Sequence, residues 1–146
     1  MTPIQEESLP VMLNGLDVMG QAKTGSGKTA AFGLALLNAI DPSLLQTQAL
    51  VLCPTRELAE QVASEIRRLA TRMSNTRILT LCGGRPYRDQ LSALKHGNHV
   101  VVGTPGRIGK HLRKGTLLLS GVSVVVLDEA DRMMDMGFVD QVTDIL

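Results

Sequence analysis

The sequence predicts an α/β fold: a doubly wound, mostly parallel sheet flanked by helices, in one domain over residues 1–146. Three observations predict it. Short apolar runs alternate five times with segments whose apolar spacing is near 3.6 residues. The last of these runs is nearly all Val and Leu, as in a parallel strand covered on both faces. With 146 residues, 44% hydrophobic and 20% charged, the chain can bury one core and is neither disordered nor long enough for two ordinary domains.

The elements follow in order. Thr2-Pro3-Ile4-Gln5 reads as a helix start, with Thr at the N-cap, Pro first and Gln third. A strand is expected over 17–20, then an Ala/Leu-rich buried helix over 28–40 and a strand over 49–53. Leu58, Val62, Ile66 and Leu69 mark one face of a helix over 56–72, leaving Arg67, Arg68 and Arg72 on its wet face. Strands over 77–81, 99–102 and 122–127 alternate with helices over 87–95 and 106–114. No repeat, linker or low-complexity tract interrupts the pattern. Ligands of such sheets gather beyond the carboxyl ends of the strands.

Composition bounds the function. The net charge of +1 conceals an asymmetry: residues 1–53 carry −2, residues 54–115 carry +8 and residues 116–146 carry −5. A basic middle between acidic ends suits separate polyanion and metal-phosphate sites. No apolar run reaches the length of a membrane span, and the N-terminus lacks a signal-peptide pattern, so a cytoplasmic protein with no membrane partner is expected. Cys53 and Cys82 have no metal-ligand spacing and read as free, buried thiols. His96, His99 and His111 read as surface or strand-end residues, and Met133, Met134 and Met136 as core filler. Only Phe32, Tyr87 and Phe138 are aromatic.

Two strand ends carry phosphate chemistry. After the first strand comes Ala22-Lys23-Thr24-Gly25-Ser26-Gly27-Lys28-Thr29, running into a helix, which is the P-loop layout with Ala22 in place of the usual first glycine. Gly25 and Gly27 let backbone N–H groups converge on phosphate oxygens at a helix N-terminus; Lys28 can reach the β- and γ-phosphates and Thr29 can ligate Mg²⁺. The last strand ends in Asp128-Glu129-Ala130-Asp131. Asp128 is placed to hold Mg²⁺, and Glu129 to orient or deprotonate an attacking water. Acids favoured by a helix N-terminus are the alternative reading of that tetrapeptide, and a helix cap the alternative reading of Gln5.

These residues carry a resemblance. Asp128-Glu129-Ala130-Asp131 and an alanine-led phosphate loop resemble the first RecA-like domain of a DEAD-box ATP-dependent RNA helicase. Thr2-Pro3-Ile4-Gln5 resembles the family's Q motif, whose glutamine reads the adenine of ATP. Pro54-Thr55-Arg56-Glu57-Leu58-Ala59 resembles motif Ia, Gly83-Gly84 the GG motif, and Thr104-Pro105-Gly106-Arg107 motif Ib. The resemblance implies RNA-backbone contacts from Pro54, Thr55, Arg56, Gly83, Gly84, Thr104, Pro105, Gly106 and Arg107. It implies coupling to motif III through Asp131, and ATP with Mg²⁺ as the nucleotide and ion bound. The wording around the motifs is most similar to the bacterial DbpA-like subfamily, which implies ribosomal RNA and large-subunit assembly.

With few aromatics to stack bases, the domain is expected to grip phosphate and ribose with little sequence preference, as a monomer. No Ser-Ala-Thr of motif III occurs before Leu146, and no second RecA-like domain with its arginine finger. The chain alone is therefore expected to bind nucleotide weakly and hydrolyse almost nothing. Two alternatives stay open from the residues: another P-loop nucleic-acid-dependent ATPase such as a DNA helicase, or a nucleotide-gated RNA clamp without turnover.

Overall fold

The computed structural model describes residues 3–13, 27–73 and 75–146. Among them, β1 (Ala49–Leu52), β2 (Ile78–Leu81), β3 (Val100–Gly103) and β4 (Val124–Leu127) form one parallel sheet in the order β2-β3-β1-β4. The strands finish level: Leu52 pairs with Gly103 and Leu127, and Leu81 with Gly103. Parallel neighbours need crossovers, which α3 (Arg56–Leu69), α4 (Tyr87–His96) and α5 (Pro105–Arg113) supply. Helices α1 (Pro3–Leu13) and α2 (Lys28–Ala39) precede the sheet; α6 (Ala130–Asp135) and α7 (Val139–Ile145) follow it. The strand expected over 17–20 lies outside the described residues.

Side-chain alternation divides the core into two halves. Ala49, Val51, Val100 and Val102 face one side, against Leu36 and Leu37 of α2 and Val62, Ala63 and Ile66 of α3. Leu50, Leu52, Leu81 and Val101 face the other, against Ile108 of α5, Met133 of α6 and Ile145 of α7. Helices on both faces make the sheet doubly wound, as expected. Each such Val, Leu, Ile or Met side chain contributes about 1.5–3 kcal/mol by leaving water, so the strands are held from both sides.

Local chemistry sets the helix ends. Thr55 caps α3, its hydroxyl accepting from the Leu58 N–H at 3.2 Å. That helix stops at Leu69, short of the expected residue 72, where the Thr71 hydroxyl donates to the Arg68 carbonyl at 2.7 Å. Gly97, at φ 88°, ends α4. Pro105 opens α5 at its first helical position.

Three expectations need correction. The strand over 122–127 is shorter and is not covered on both faces: Val125 and Leu127 are 44% and 37% exposed. The helices of the second face pack over β1, β2 and β3, and β4 ends the described strand order beyond their reach. Met133 is core filler, but Met134 and Met136 are 60% and 46% exposed: the short helix α6 turns Met133 inward and its neighbour Met134 outward, and Met136 lies beyond it at the C-cap. His111 is fully buried in α5 rather than at the surface, held by hydrogen bonds. Helices α6 and α7 had no assignment from the sequence, since six and seven residues hold too few turns for a periodicity.

Gly103 shows how tightly β3 is enclosed. A Cβ there would meet the Leu81 carbonyl oxygen and lie 2.8 Å from Ile108 Cδ1. The Leu81 carbonyl cannot retreat, because it accepts the Thr104 N–H. Gly103→Ala is therefore expected to destabilise the chain by about 3 kcal/mol, lowering the thermal midpoint by roughly 10 °C. Thermal unfolding followed by circular dichroism checks this; a midpoint unchanged from wild type would refute it.

Candidate functional site

One end of the candidate site is assembled from α1, α2 and the turn after β4. Gly27 takes the left-handed conformation (φ 87°, ψ 14°) that lets the chain turn into α2, and Lys28 follows at once. Lys28 Nζ lies 3.0 Å from Asp128 Oδ1. Asp128 is held one residue beyond β4 by its own N–H, which donates to the Leu52 carbonyl at 2.9 Å and extends the ladder. Gln5 reaches across from α1, its Nε2 donating to the Gly27 carbonyl at 3.0 Å. The Gln5 side chain is thus turned toward the end of the phosphate loop, 22 residues away. Thr29 sits next to Lys28 in the first turn of α2. Thr2, Ala22, Lys23, Thr24, Gly25 and Ser26 lie outside the described residues.

Charge and strain concentrate here. Asp128 is 3% exposed; its Oδ1 has Lys28, while its Oδ2 is buried with no hydrogen-bond partner among the described residues. A buried carboxylate oxygen without a donor suits a cation or a cation-bound water. No group of three or more His, Cys, Asp or Glu that could hold a metal gathers among the described residues. That donor set fits Mg²⁺, which commonly takes one or two protein oxygens and the rest from phosphate and water. Glu129 stands at φ 54°, ψ 51°, a left-handed conformation that costs a non-glycine residue of order 1–2 kcal/mol. It forms the N-cap of α6, with Oε2 3.8 Å from Arg132 Nη1. Beside them, burial and then the Asp128 charge push the Cys53 thiol well above its usual range. Burial likewise pushes Cys82 up to about 11. Both are inert, neutral thiols.

A second feature opens along the same strand ends. Segments after β1, β2 and β3 line an open groove of about 540 Å³. Of the nine residues implied by motifs Ia, GG and Ib, Pro54, Arg56, Gly83, Gly84, Thr104, Gly106 and Arg107 line it. Thr55 and Pro105 do not: the Thr55 hydroxyl is occupied in capping α3, and Pro105 is buried as the first residue of α5. Both α3 and α5 begin at this groove. The first turn of α5 carries no acid and Thr104 makes no side-chain cap, so that helix start is uncompensated. The Arg56 guanidinium lies over Gly84, where φ is 81° and a Cβ would collide with Arg56 Nη1. Arg85 meets Glu60 at 3.2 Å, tying the GG turn to α3.

A helix start with no acid and no side-chain cap, two arginines and a close backbone approach thus share one groove, in the same chain as an ion pair whose carboxylate, Asp128, is buried. The family model for the DEAD/DEAH box helicase matches residues 2–146. The chain belongs to this family. It is 62% identical over 146 residues to "ATP-dependent RNA helicase DbpA" of Escherichia coli, and 56% identical over 145 residues to "ATP-dependent RNA helicase DeaD" of Haemophilus influenzae. The match takes in 100% and 99% of this chain but 32% and 24% of those proteins, so it spans a third or less of their length. Among solved structures, a DEAD box protein from Methanococcus jannaschii superposes with a TM-score of 0.93 at 44% identity. That superposition covers 99% of this chain and 39% of that one. The yeast DEAD-box splicing factor Prp28 gives 0.92 at 36%, covering 99% and 36%. The fold of this DEAD-box chain is accordingly RecA-like, as the resemblance implied.

Three features of the site had not been read from its sequence. Phe138, from the turn before α7, lines the groove, although it stands 31 residues beyond Arg107 with no motif around it. Glu57 also lines the groove, opposing the basic charge. Arg107 is partly spent inside the protein: its Nη1 donates to the Arg85 carbonyl at 3.0 Å and to Gln90 Oε1 at 3.1 Å. No periodic or motif signal marks Gln90, since only the fold brings it to Arg107. Asp131 is exposed on α6. Among the described residues no helix is long and apolar enough to cross a membrane.

Proposed function

We propose that this chain is the nucleotide-binding, first RecA-like domain of an ATP-dependent RNA helicase. The observation that carries the reading is that two charged clusters, each of a chemistry that suits phosphate, lie beyond the strand ends of one sheet. One is the ion pair of Lys28 with the buried Asp128, beside Glu129 and Gln5; the other is the basic groove along Arg56, Gly84 and Arg107.

In this reading the phosphate loop, Ala22 to Thr29, cradles the phosphates of ATP, and Gln5 contacts the adenine while bracing Gly27. Lys28 exchanges its contact with Asp128 for the β- and γ-phosphates. Thr29 and Asp128 would hold Mg²⁺, which when bound neutralises phosphate charge and orients the γ-phosphate. Glu129 orients the attacking water and takes its proton, while Asp131 couples the site to the rest of the helicase. Turnover belongs to a longer protein, in which a second lobe supplies an arginine; the chain by itself binds nucleotide weakly and hydrolyses almost nothing. The groove holds RNA by its backbone, with little sequence preference from this domain. The 62% identity to DbpA supports a cytoplasmic role on ribosomal RNA in large-subunit assembly.

The test compares the 146-residue chain with the full-length protein that contains it. Full-length protein is expected to show ATP turnover stimulated by RNA and not by single-stranded DNA, and the chain alone to bind Mg·ADP without stimulated turnover. Equal stimulation by DNA favours the DNA-helicase alternative. RNA-stimulated turnover by the chain alone at the full-length rate refutes the division of labour.

A further inference from the structure

Behind the groove lies a buried polar cluster that no motif includes. Gln90 of α4 is 5% exposed and His111 of α5 fully buried. Gln90 Nε2 donates to the Cys82 carbonyl at 3.0 Å, immediately before Gly83 and Gly84. Its Oε1 accepts from Arg107 Nη1 at 3.1 Å and lies 2.7 Å from His111 Nε2. An amide whose nitrogen is engaged with a carbonyl offers only its oxygen to the other side, so His111 must donate from Nε2. That leaves His111 Nδ1 as an acceptor; the Thr116 hydroxyl lies 2.8 Å from it and 3.1 Å from the His111 carbonyl, and this pattern gives its one proton to the nearer Nδ1. The ring stacks on Tyr87 at 4.5 Å, and Lys110 Nζ lies 4.5 Å from the centroid of the same Tyr87 ring. Burial, with Arg107 and Lys110 nearby, lowers His111 to about 4, which keeps it in the neutral form this hydrogen-bond pattern requires.

We propose that Gln90, oriented by His111, is a positioning residue for the RNA groove: one amide holds the GG turn and the Arg107 guanidinium at a fixed separation. This rests on the groove being the RNA site. The geometry is specific, because a single side chain bonds both the Cys82 carbonyl that leads into the GG turn of one wall and Arg107 of the other. Arg107 donates through the same Nη1 to the Arg85 carbonyl of the GG segment, so its guanidinium is locked at two points. A locked guanidinium meets a phosphate without first losing rotamer freedom, and that preorganisation is what the cluster adds to affinity. Fully satisfied buried networks of this kind specify one arrangement, and losing one member releases the rest.

The experiment measures binding of a fluorescein-labelled single-stranded uridine oligonucleotide to the 146-residue chain by anisotropy, across a salt series. Arg107→Ala and the near-isosteric Gln90→Met are each expected to weaken binding about tenfold and to reduce the salt slope by about 0.7, the value of one phosphate contact on a single strand. The double variant is expected to bind no more weakly than either single one, whereas Gln90→Met combined with Arg56→Ala loses the product of the two factors. A role confined to stability would lower the thermal midpoint without this selective coupling. Wild-type affinity in Gln90→Met, with Arg107→Ala weakened, overturns the positioning role and leaves the groove reading intact. Wild-type affinity in both Arg107→Ala and Arg56→Ala overturns the groove reading and the proposal with it. If Gln90→Met does not fold, heteronuclear NMR of the wild-type imidazole decides: a neutral ring protonated on Nε2 supports the proposal, and a proton on Nδ1 overturns it.

Discussion

Glu129→Gln in the full-length protein is expected to reduce RNA-stimulated ATP turnover roughly 10²–10⁴-fold, the range for removing a general base. Nucleotide affinity should stay within about threefold of wild type, because the amide keeps the size and hydrogen-bonding reach of the carboxylate and loses only the capacity to take a proton. The backbone supports the assignment. Glu129 is one of two described non-glycine residues at positive φ, and it stands directly beside the buried Asp128. Strain held at a carboxylate that only caps a helix would be removed by glycine at no loss. Glu129→Gly is accordingly expected to raise thermal stability by about 1 kcal/mol while abolishing turnover as fully as glutamine does. Turnover within tenfold of wild type in Glu129→Gln would assign Glu129 a capping role only.

Lys28→Met is expected to destabilise the chain by about 3 kcal/mol, a fall of roughly 10 °C in thermal midpoint. Asp128 is 3% exposed, so removing its partner leaves a carboxylate in the protein interior with neither oxygen compensated among the described residues. The lower end of the usual range applies because Lys28 itself is 24% exposed and water can reach the pair from that side. Removing the second charge should undo most of the damage: Lys28→Met with Asp128→Leu is expected to recover more than half of the lost stability, since neither buried charge remains. Neither variant should bind Mg·ADP. Calorimetric unfolding of the two variants beside wild type provides the check, and a double variant no more stable than Lys28→Met would show that the ion pair is not the source of the loss.

Much of this could be read from residues alone because the signals are local. The run Ala49-Leu50-Val51-Leu52 is apolar at every position and stands between turns, so a buried strand is its only comfortable state. Arg56 to Leu69 repeats apolar residues at helical spacing behind a threonine cap. Asp128 and Lys28 were each identifiable from their place after a strand or before a helix, 100 residues apart in sequence, and the fold brings them to 3.0 Å. His111 was misread for the complementary reason. A histidine among Lys110, Leu112 and Arg113 looks solvent-facing, and its burial depends on Gln90 and Tyr87, which lie on another helix, together with Thr116 just beyond its own. The same holds for Phe138 at the groove and for the uncovered side of β4.

The sequence by itself determined the order of the strands and of the helices up to α5, and which residues are candidates for phosphate and magnesium, because strand alternation, helix period and caps are set by neighbours within a few positions. Only the tertiary structure decided which motif residues face the groove together and which are consumed elsewhere. Thr55 spends its hydroxyl on a helix start, Pro105 is buried, and Arg107 is shared between the groove and Gln90. A side chain has a fixed number of hydrogen-bonding directions, and how they are divided depends on partners that the fold, not the local sequence, brings within 3 Å.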